Sequence, residues 1–446
     1  MKPSSSRSDT LLGGLSGAPD VDTALTDTSL LQAMLDAEAA LARAAADCGV
    51  LPASAAQAIA AHCRADRYDP TSLGRAADDT GNPVVPLVRE LTAAVPEHAR
   101  PWVHLGATSQ DILDTALALV TRRATEPLLR HLDAAADAAA RLADTHRATV
   151  LVARTLGQQA APTTFGLKAA GWLVELLEVR ARLLRARAAL PAQLGGAVGT
   201  LAALESAGPA VSERYAEHLG LAASPLPWHT RRQPVLDQAA AIGGLLAATG
   251  KVAVDVGLLA RTEVGEVAEG GPGRGGSSAM PHKRNPVDSV LVTAAARRGP
   301  GLVATLFTAA VQEHERAAGD WHAEWEPLLD LLHVAGGATA RCARMLDGLQ
   351  VRPERMRANL DASGGLVLAE AVAARLAPAL GRGAARDLVA RAATRPAFRD
   401  ALLTDPEIRA HLSEREIDEA LDPYGWLGSA DGFVDRALAA HRGTQP

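Results

Sequence analysis

The sequence predicts an all-α protein. Alanine and leucine dominate it, aromatic residues make up 3%, and period-two runs of β-branched residues are nearly absent. Apolar side chains instead recur at steps of three and four. Residues 128–146 place Leu128, Leu132, Ala135, Ala139, Leu142 and His146 on one stripe, which predicts an amphipathic helix. Residues 235–260 repeat the spacing with Val235, Ala239, Ile242, Leu246, Thr249, Val252, Val256 and Leu259. Ala240, Ala241 and Val254 fall on the other faces of that segment. A helix apolar nearly all round is buried on all sides, so this one is expected at the centre of a long-helix bundle. Residues 163–190 and 328–346 behave similarly.

Prolines and glycines divide the chain. Gly81-Asn82-Pro83, Pro96 and Pro101 punctuate the first part, Pro162 interrupts a polar stretch, and Pro225, Pro227 and Pro234 bracket a loop before the most apolar segment. Pro353 and Gly364-Gly365 open a C-terminal part of short helices. Three helical domains are therefore expected, at 21–110, 111–350 and 351–446, after a Ser/Gly-rich flexible arm at 1–20. A chain of 446 residues is long enough for two or three domains.

The net charge of −6 argues against a nucleic-acid partner. Cys48, Cys63 and Cys342 lie far apart, which argues against a disulfide framework and structural zinc and fits a reducing cytoplasm. The most apolar region is interrupted by Asp237, Lys251 and Asp255, so no membrane span is expected. No metal or cofactor is called for.

The stretch GGPGRGGSSAMPHKRNP at 270–286 carries the most chemistry. Glycines allow a loop to close over a ligand. Ser277 and Ser278 offer hydroxyls, Lys283 a positive charge and Asn285 a neutral hydrogen-bonding fork. These are the parts needed to remove a proton beside a carboxylate and to stabilise the charge that builds up. A phosphate loop is excluded by order, because there the serine or threonine follows the lysine. Met280 of the same loop joins the expected substrate contacts. A second stretch, HLGATSQDILDT at 104–115, sets Thr108 and Ser109 before a helical pattern, either as plain capping residues or as a carboxylate site at a helix start.

Together these stretches resemble the fumarase/aspartase superfamily. Every fixed position of its G-S-S-x-x-P-x-K-x-N-P signature is present at 276–286, and HLGATSQDILDT is similar to its first conserved region. The resemblance runs from about residue 20 to 380. It implies three helical domains, a homotetramer whose central helices form a bundle, and active sites that draw motifs from several subunits. It further implies a di- or tricarboxylate substrate, with Ser277 as the proton-transfer residue assisted by Lys283.

A third stretch, RTLGQQAAPTTFG at 154–166, resembles the family's second region. The histidine usual there as general acid is replaced by Leu156. Leucine transfers no proton, and the 3-carboxy-cis,cis-muconate cycloisomerase branch also lacks this histidine. Thr155 and Gln158 are suited either to substrate oxygens or to hydrogen bonds at a helix end. A fourth stretch, EHERAAGDWHAEWEP at 313–327, resembles the same branch. Arg316 there is read as a bidentate carboxylate clamp, against a surface ion pair. His314 and His322 are possible proton carriers, and Trp321 and Trp325 packing residues. Asn82, in TGNPVVPLV, is a substrate contact or a turn residue.

The resemblance thus implies a carboxymuconate cycloisomerase of aromatic (protocatechuate) catabolism. The alternatives are a lyase releasing fumarate from a nitro- or amino-substituted succinate, and an inactive helical scaffold.

Overall fold

The computed structural model describes residues 6–271, 275–276 and 279–443. Six long helices organise it: α1 (Asp27–Asp47), α2 (Ser109–Thr145), α3 (Phe165–Ala188), α4 (Gln233–Leu259), α5 (Val287–Ala309) and α6 (Asp320–Asp347). The apolar periodicity at 128–146, 163–190, 235–260 and 328–346 corresponds to α2, α3, α4 and α6 to within two residues at each overrun, with Thr163 and Thr164 belonging to β2 instead. One antiparallel hairpin, β1 (Val150–Thr155) and β2 (Gln158–Thr164), interrupts the helices, where the sequence shows no clean alternation. Pro162 sits in β2 opposite Val152, which a two-stranded ribbon tolerates because each strand is an edge.

The chain separates into two compact units, Met1–Asp133 with Glu178–Gly250 and Leu291–Arg341, and Ala134–Leu177 with Lys251–Val290 and Cys342–Pro446. In the first unit, α1 buries Leu31, Leu35 and Leu41, and the first half of α2 buries Ile112, Leu128 and Leu132. Helix α4 is long and apolar enough to cross a membrane by length and composition, contrary to the expectation from its three charges. Of its most apolar window, 56% is buried inside the protein, as in a core helix.

The expected flexible arm takes a different form. Residues Arg7–Asp9, Gly13–Ser16 and Pro19–Asp22 form helical turns. Arg7 pairs with Glu326 at 2.7 Å and with Asp330. His333 joins Asp22 at 2.8 Å and the Ser16 hydroxyl at 3.2 Å. Side chains of α6 thus hold a segment that has no apolar periodicity of its own.

The second unit contains a C-terminal core of short helices around Val372, Leu376, Leu388, Phe398, Leu402 and Ile417. A smaller cluster joins Val150 and Val152 of β1 to Leu360. Phe165 packs edge-on against Trp172, whose indole N–H donates to Asp255 at 2.8 Å.

Candidate active site

Each unit presents its own set of the expected residues. In the first unit the set is built around the start of α2. Thr108 precedes the first helical residue, Ser109, and the Asp111 carboxylate accepts the Thr108 N–H at 2.9 Å. That return bond from the third helical position is one half of a capping box. The Asp111 carboxylate also accepts the N–H groups of Gly195 and Gly196, both at 2.9 Å, and faces Nε2 of His229 at 2.7 Å. Four donors on one fully buried carboxylate fix the helix start against the 195–196 turn. The hydroxyl-bearing end of α2 is thereby held in place, with its N–H groups and dipole available to an anion.

One turn further along α2 lies a buried ion cluster. Arg232 donates to Asp114 at 2.8 and 3.1 Å and to Glu324 at 2.6 and 3.0 Å. All three side chains are at most 2% exposed. Trp321 donates its indole N–H to Asp114 at 3.0 Å, and Gln312 donates to Glu324 at 3.0 Å. Burial opposes the charge on Arg232, but its two carboxylates more than offset it and raise its pKa. Burial pushes Glu324 up to about 7 despite that same arginine. The upward direction has a physical cause: one cation cannot neutralise two buried carboxylates.

This cluster reaches Arg316 through Gln110. The Gln110 amide donates to Asp114 at 3.2 Å and to the His229 carbonyl at 2.9 Å, and its oxygen accepts from Arg316 Nε at 3.2 Å. Arg316 also donates to the Ala197 carbonyl at 3.1 Å. The structure therefore brings Arg316 to the same helix start as Thr108 and Ser109, held by neutral acceptors rather than by a carboxylate.

Asn82 uses its carboxamide locally. Its oxygen accepts from Val84 and Val85 N–H at 3.1 and 3.4 Å, the geometry of a turn residue capping a helix. His322 contacts the Gly81 carbonyl at 3.0 Å and packs on Trp321 and Trp325. His314 is exposed, in left-handed backbone at φ +52°.

The second unit carries the hairpin tip and the signature loop. Arg154 forms a two-pronged ion pair with Glu266 at 2.7 and 2.9 Å, and Asn359 adds a bond to Glu266 at 2.8 Å. The glutamate is fully buried, so the base of the tip is anchored. Beyond it Thr155 pairs with Gln158 in the ribbon register, both exposed. Leu156 sits at the turn with φ +52° and is completely exposed, an unusual place for leucine.

Described residues at the two ends of the signature loop pair with each other. Gly276 pairs with Arg284, and Asn285 donates to the Gly275 carbonyl through its backbone at 2.8 Å and its side chain at 3.1 Å. Gly275 has φ +70°, and a Cβ there would lie 2.2 Å from the Asn285 oxygen, so glycine is required. Glu269 caps the start of α5 by accepting the N–H groups of Asp288 and Ser289 at 2.9 and 2.7 Å. Met280, Lys283 and Asn285 line a cleft of about 860 Å³ together with Glu269 and Arg352. Lys283 is exposed on it. Ser277 and Ser278 lie outside the described residues.

Sequence reasoning missed Asp111, Asp114, His229, Arg232, Glu324, Glu38 and Glu266. A charged residue set among apolar helix neighbours, as in Leu35-Asp-Ala-Glu38-Ala-Ala-Leu41, is the signal that marks some of them.

Comparison with known proteins gives a consistent picture. A lyase family model matches residues 16–301, and a model described as adenylosuccinate lyase C-terminus matches residues 365–437. A nitrosuccinate lyase from Streptomyces davaonensis is 49% identical, covering 96% of this chain and 94% of its own length. A 3-carboxy-cis,cis-muconate cycloisomerase from Pseudomonas aeruginosa is 48% identical, covering 93% of each. The crystal structure of 3-carboxy-cis,cis-muconate lactonizing enzyme from Pseudomonas putida superposes with a TM-score of 0.90 at 43% identity, over 97% of this chain and 99% of that one.

Proposed function

The chain belongs to the fumarase/aspartase superfamily of lyases, and on that premise we propose that it is a 3-carboxy-cis,cis-muconate cycloisomerase acting in aromatic (protocatechuate) catabolism. One carboxylate oxygen of the substrate adds across a double bond to close a lactone. The neighbouring carbon, which lies beside another carboxylate, takes a proton. In reverse a base removes that proton, and the ring oxygen departs as a carboxylate. Ser277 is the proton-transfer residue. Lys283 and the loop's N–H groups stabilise its alkoxide, since a serine hydroxyl is a weak base without such help. Thr108, Ser109 and Arg316 hold substrate carboxylates, and Thr155, Gln158, Ser278, Met280 and Asn285 complete the pocket.

The observation that carries this reading is Leu156, exposed at a hairpin tip that keeps Thr155 and Gln158 but offers no proton donor. A missing general acid is tolerable only when the leaving group is a weak base. A carboxylate, with a conjugate-acid pKa of about 4, is one. An amine or an alkoxide is not. Nitrite also qualifies, and the 49% identical nitrosuccinate lyase favours elimination of nitrite and fumarate from nitrosuccinate as a second reading.

One experiment separates the readings: ultraviolet assays on 3-carboxy-cis,cis-muconate, nitrosuccinate and adenylosuccinate in parallel. Loss of muconate absorbance without fumarate supports the first reading. Fumarate and nitrite from nitrosuccinate replace it with the second. No turnover of any of the three leaves the inactive scaffold. We also propose that four copies share the active sites. Light scattering at the monomer mass would overturn that.

A further inference from the structure

Arg316 is carried by the segment 310–319 between α5 and α6, and that segment holds a carboxylate which the proposed function does not use. Apart from a bridge between Val311 and Arg231, the segment has no regular structure. Its backbone is nevertheless constrained. His314, two residues before Arg316, holds left-handed backbone at φ +52°, a conformation costly for a residue other than glycine. Such a conformation persists only where contacts on either side enforce it.

Two such contacts are present. The His314 carbonyl accepts from the Thr230 hydroxyl at 3.1 Å. The Glu313 carboxylate accepts the Ala318 N–H at 2.7 Å and closes the turn around Arg316. Glu313 is exposed, yet the N–H groups of Ala318 and of Glu313 itself hold its pKa below the ordinary glutamate value. Its charge is thus directed at backbone donors. Arg316 instead donates from Nε to Gln110 at 3.2 Å and from Nη2 to the Ala197 carbonyl at 3.1 Å. Neither bond uses Nη1, which forms with Nη2 the fork that grips a carboxylate. Had Glu313 paired with that fork, it would compete with the substrate for it.

Releasing the Ala318 N–H would let His314 leave the left-handed region, and an exposed residue other than glycine gains by doing so. A rotation about φ at 314 would carry the guanidinium away from Gln110 and Ala197. The clamp would then have to be ordered again each time a substrate binds.

We propose that Glu313 is the positioning residue of the Arg316 clamp. Its carboxylate clasps the turn, keeps His314 in its strained conformation and delivers the guanidinium to the start of α2 already ordered. The assignment rests on the proposed function, in which Arg316 holds a substrate carboxylate.

The test uses Glu313→Ala, Arg316→Gln and the double variant. Calorimetry measures binding of tricarballylate, a saturated tricarboxylate, and steady-state kinetics give KM and kcat for whichever substrate is active. Glu313→Ala should weaken binding and raise KM by roughly tenfold, the cost of ordering an arginine and its turn on binding, while kcat stays within about threefold. In the Arg316→Gln background the same change should cost less than about twofold, because no clamp is left to place. Glu313→Gln, whose amide oxygen still accepts the Ala318 N–H, should recover most of the affinity.

An affinity and KM for Glu313→Ala within about twofold of the wild type overturn the assignment and leave the proposed function standing. An equal loss in the two backgrounds, the mark of a merely structural role, does the same, as does a Glu313→Gln variant no better than Glu313→Ala. Arg316→Gln that binds and turns over like the wild type removes the clamp from the proposed function, and the assignment falls with it. A wild type that neither binds tricarballylate nor turns over any substrate overturns both. Should Glu313→Ala fail to fold, amide hydrogen exchange in the wild type decides. The Ala318 N–H should be protected, and exchange at the rate of an unstructured peptide overturns the assignment.

Discussion

The start of α2 and the signature loop carry the same kind of polar residues in opposite settings. Around α2, Asp114, Gln110, Arg232 and Glu324 are buried and joined by hydrogen bonds of 2.6 to 3.2 Å, and buried Asp111 is linked to them through His229. In the second unit Thr155, Leu156, Gln158 and Lys283 are exposed, and only the bases of their turns are anchored, through Glu266 and Gly275. The first arrangement is pre-organised: the groups proposed to bind substrate carboxylates sit at a helix start whose buried partners are already in place. The second presents reactive groups to solvent. The proposed role of Ser277 requires donors that stabilise its alkoxide, and Lys283 is the exposed cation proposed to be one of them.

The largest effect is expected at the residue proposed for proton transfer. Ser277→Ala should lower kcat by roughly a thousandfold or more, with substrate binding retained, because it removes a group that acts only in the chemical step. Its melting temperature should match the wild type. Near-normal turnover with the active substrate would remove Ser277 from the proton-transfer role.

On the buried side the expected loss is one of stability. Arg232→Met strands Asp114 and Glu324 without their cation and should destabilise the fold by about 3–5 kcal/mol. Urea unfolding followed by circular dichroism measures this. Replacing Asp114 and Glu324 by apolar residues in the same chain should recover most of the loss, since the penalty comes from the stranded charges. If the single change costs less than about 1 kcal/mol, the cluster does not organise the helix start.

These two regions also differ in how far the sequence discloses them. The long helices are legible because burial imposes a local period of three to four, and α4 at Gln233–Leu259 matches the stretch 235–260 almost to the residue. Thr108 and Ser109 are legible because a cap is a local device. The partners of Asp111 and Asp114 are not, because His229 and Arg232 each lie 118 residues away along the chain. No spacing rule links them. The hairpin at 150–164 is not legible because its outer half, Arg154-Thr-Leu-Gly-Gln-Gln159, is exposed and mostly polar, while Val150, Leu151 and Val152 are buried in succession and show no alternation. The docked segment Arg7–Asp22 is not legible because distant ion pairs, not periodicity, order it.

A smaller effect should separate the regions by pH. Glu324, pushed to about 7 in the folded protein, ordinarily titrates near 4.5. Its folded pKa is raised, so the stability it contributes is fully present below about 4.5 and is lost as pH rises through 7. The wild type should therefore lose on the order of 2–3 kcal/mol between pH 4.5 and 8 relative to Glu324→Gln. The substituted carboxamide cannot ionise, and it leaves Arg232 paired with Asp114 alone. Parallel profiles of melting temperature against pH for the two proteins would contradict the buried, under-neutralised cluster.

The smallest effect is expected at Leu156, and its smallness is informative. The side chain is fully exposed at φ +52°, so replacing it removes no packing. Histidine occupies left-handed backbone more readily than leucine does, and Leu156→His should leave stability unchanged or raise it by about a few tenths of a kcal/mol. If the departing group is a carboxylate or nitrite, a proton donor at this position has nothing to protonate at neutral pH. Turnover should then stay within about threefold of the wild type, since general acid catalysis adds its usual hundredfold or more only where a strong base leaves. A tenfold gain in kcat would mean that protonation limits the reaction after all. The tip would then be a lost catalytic position rather than one the chemistry never needed.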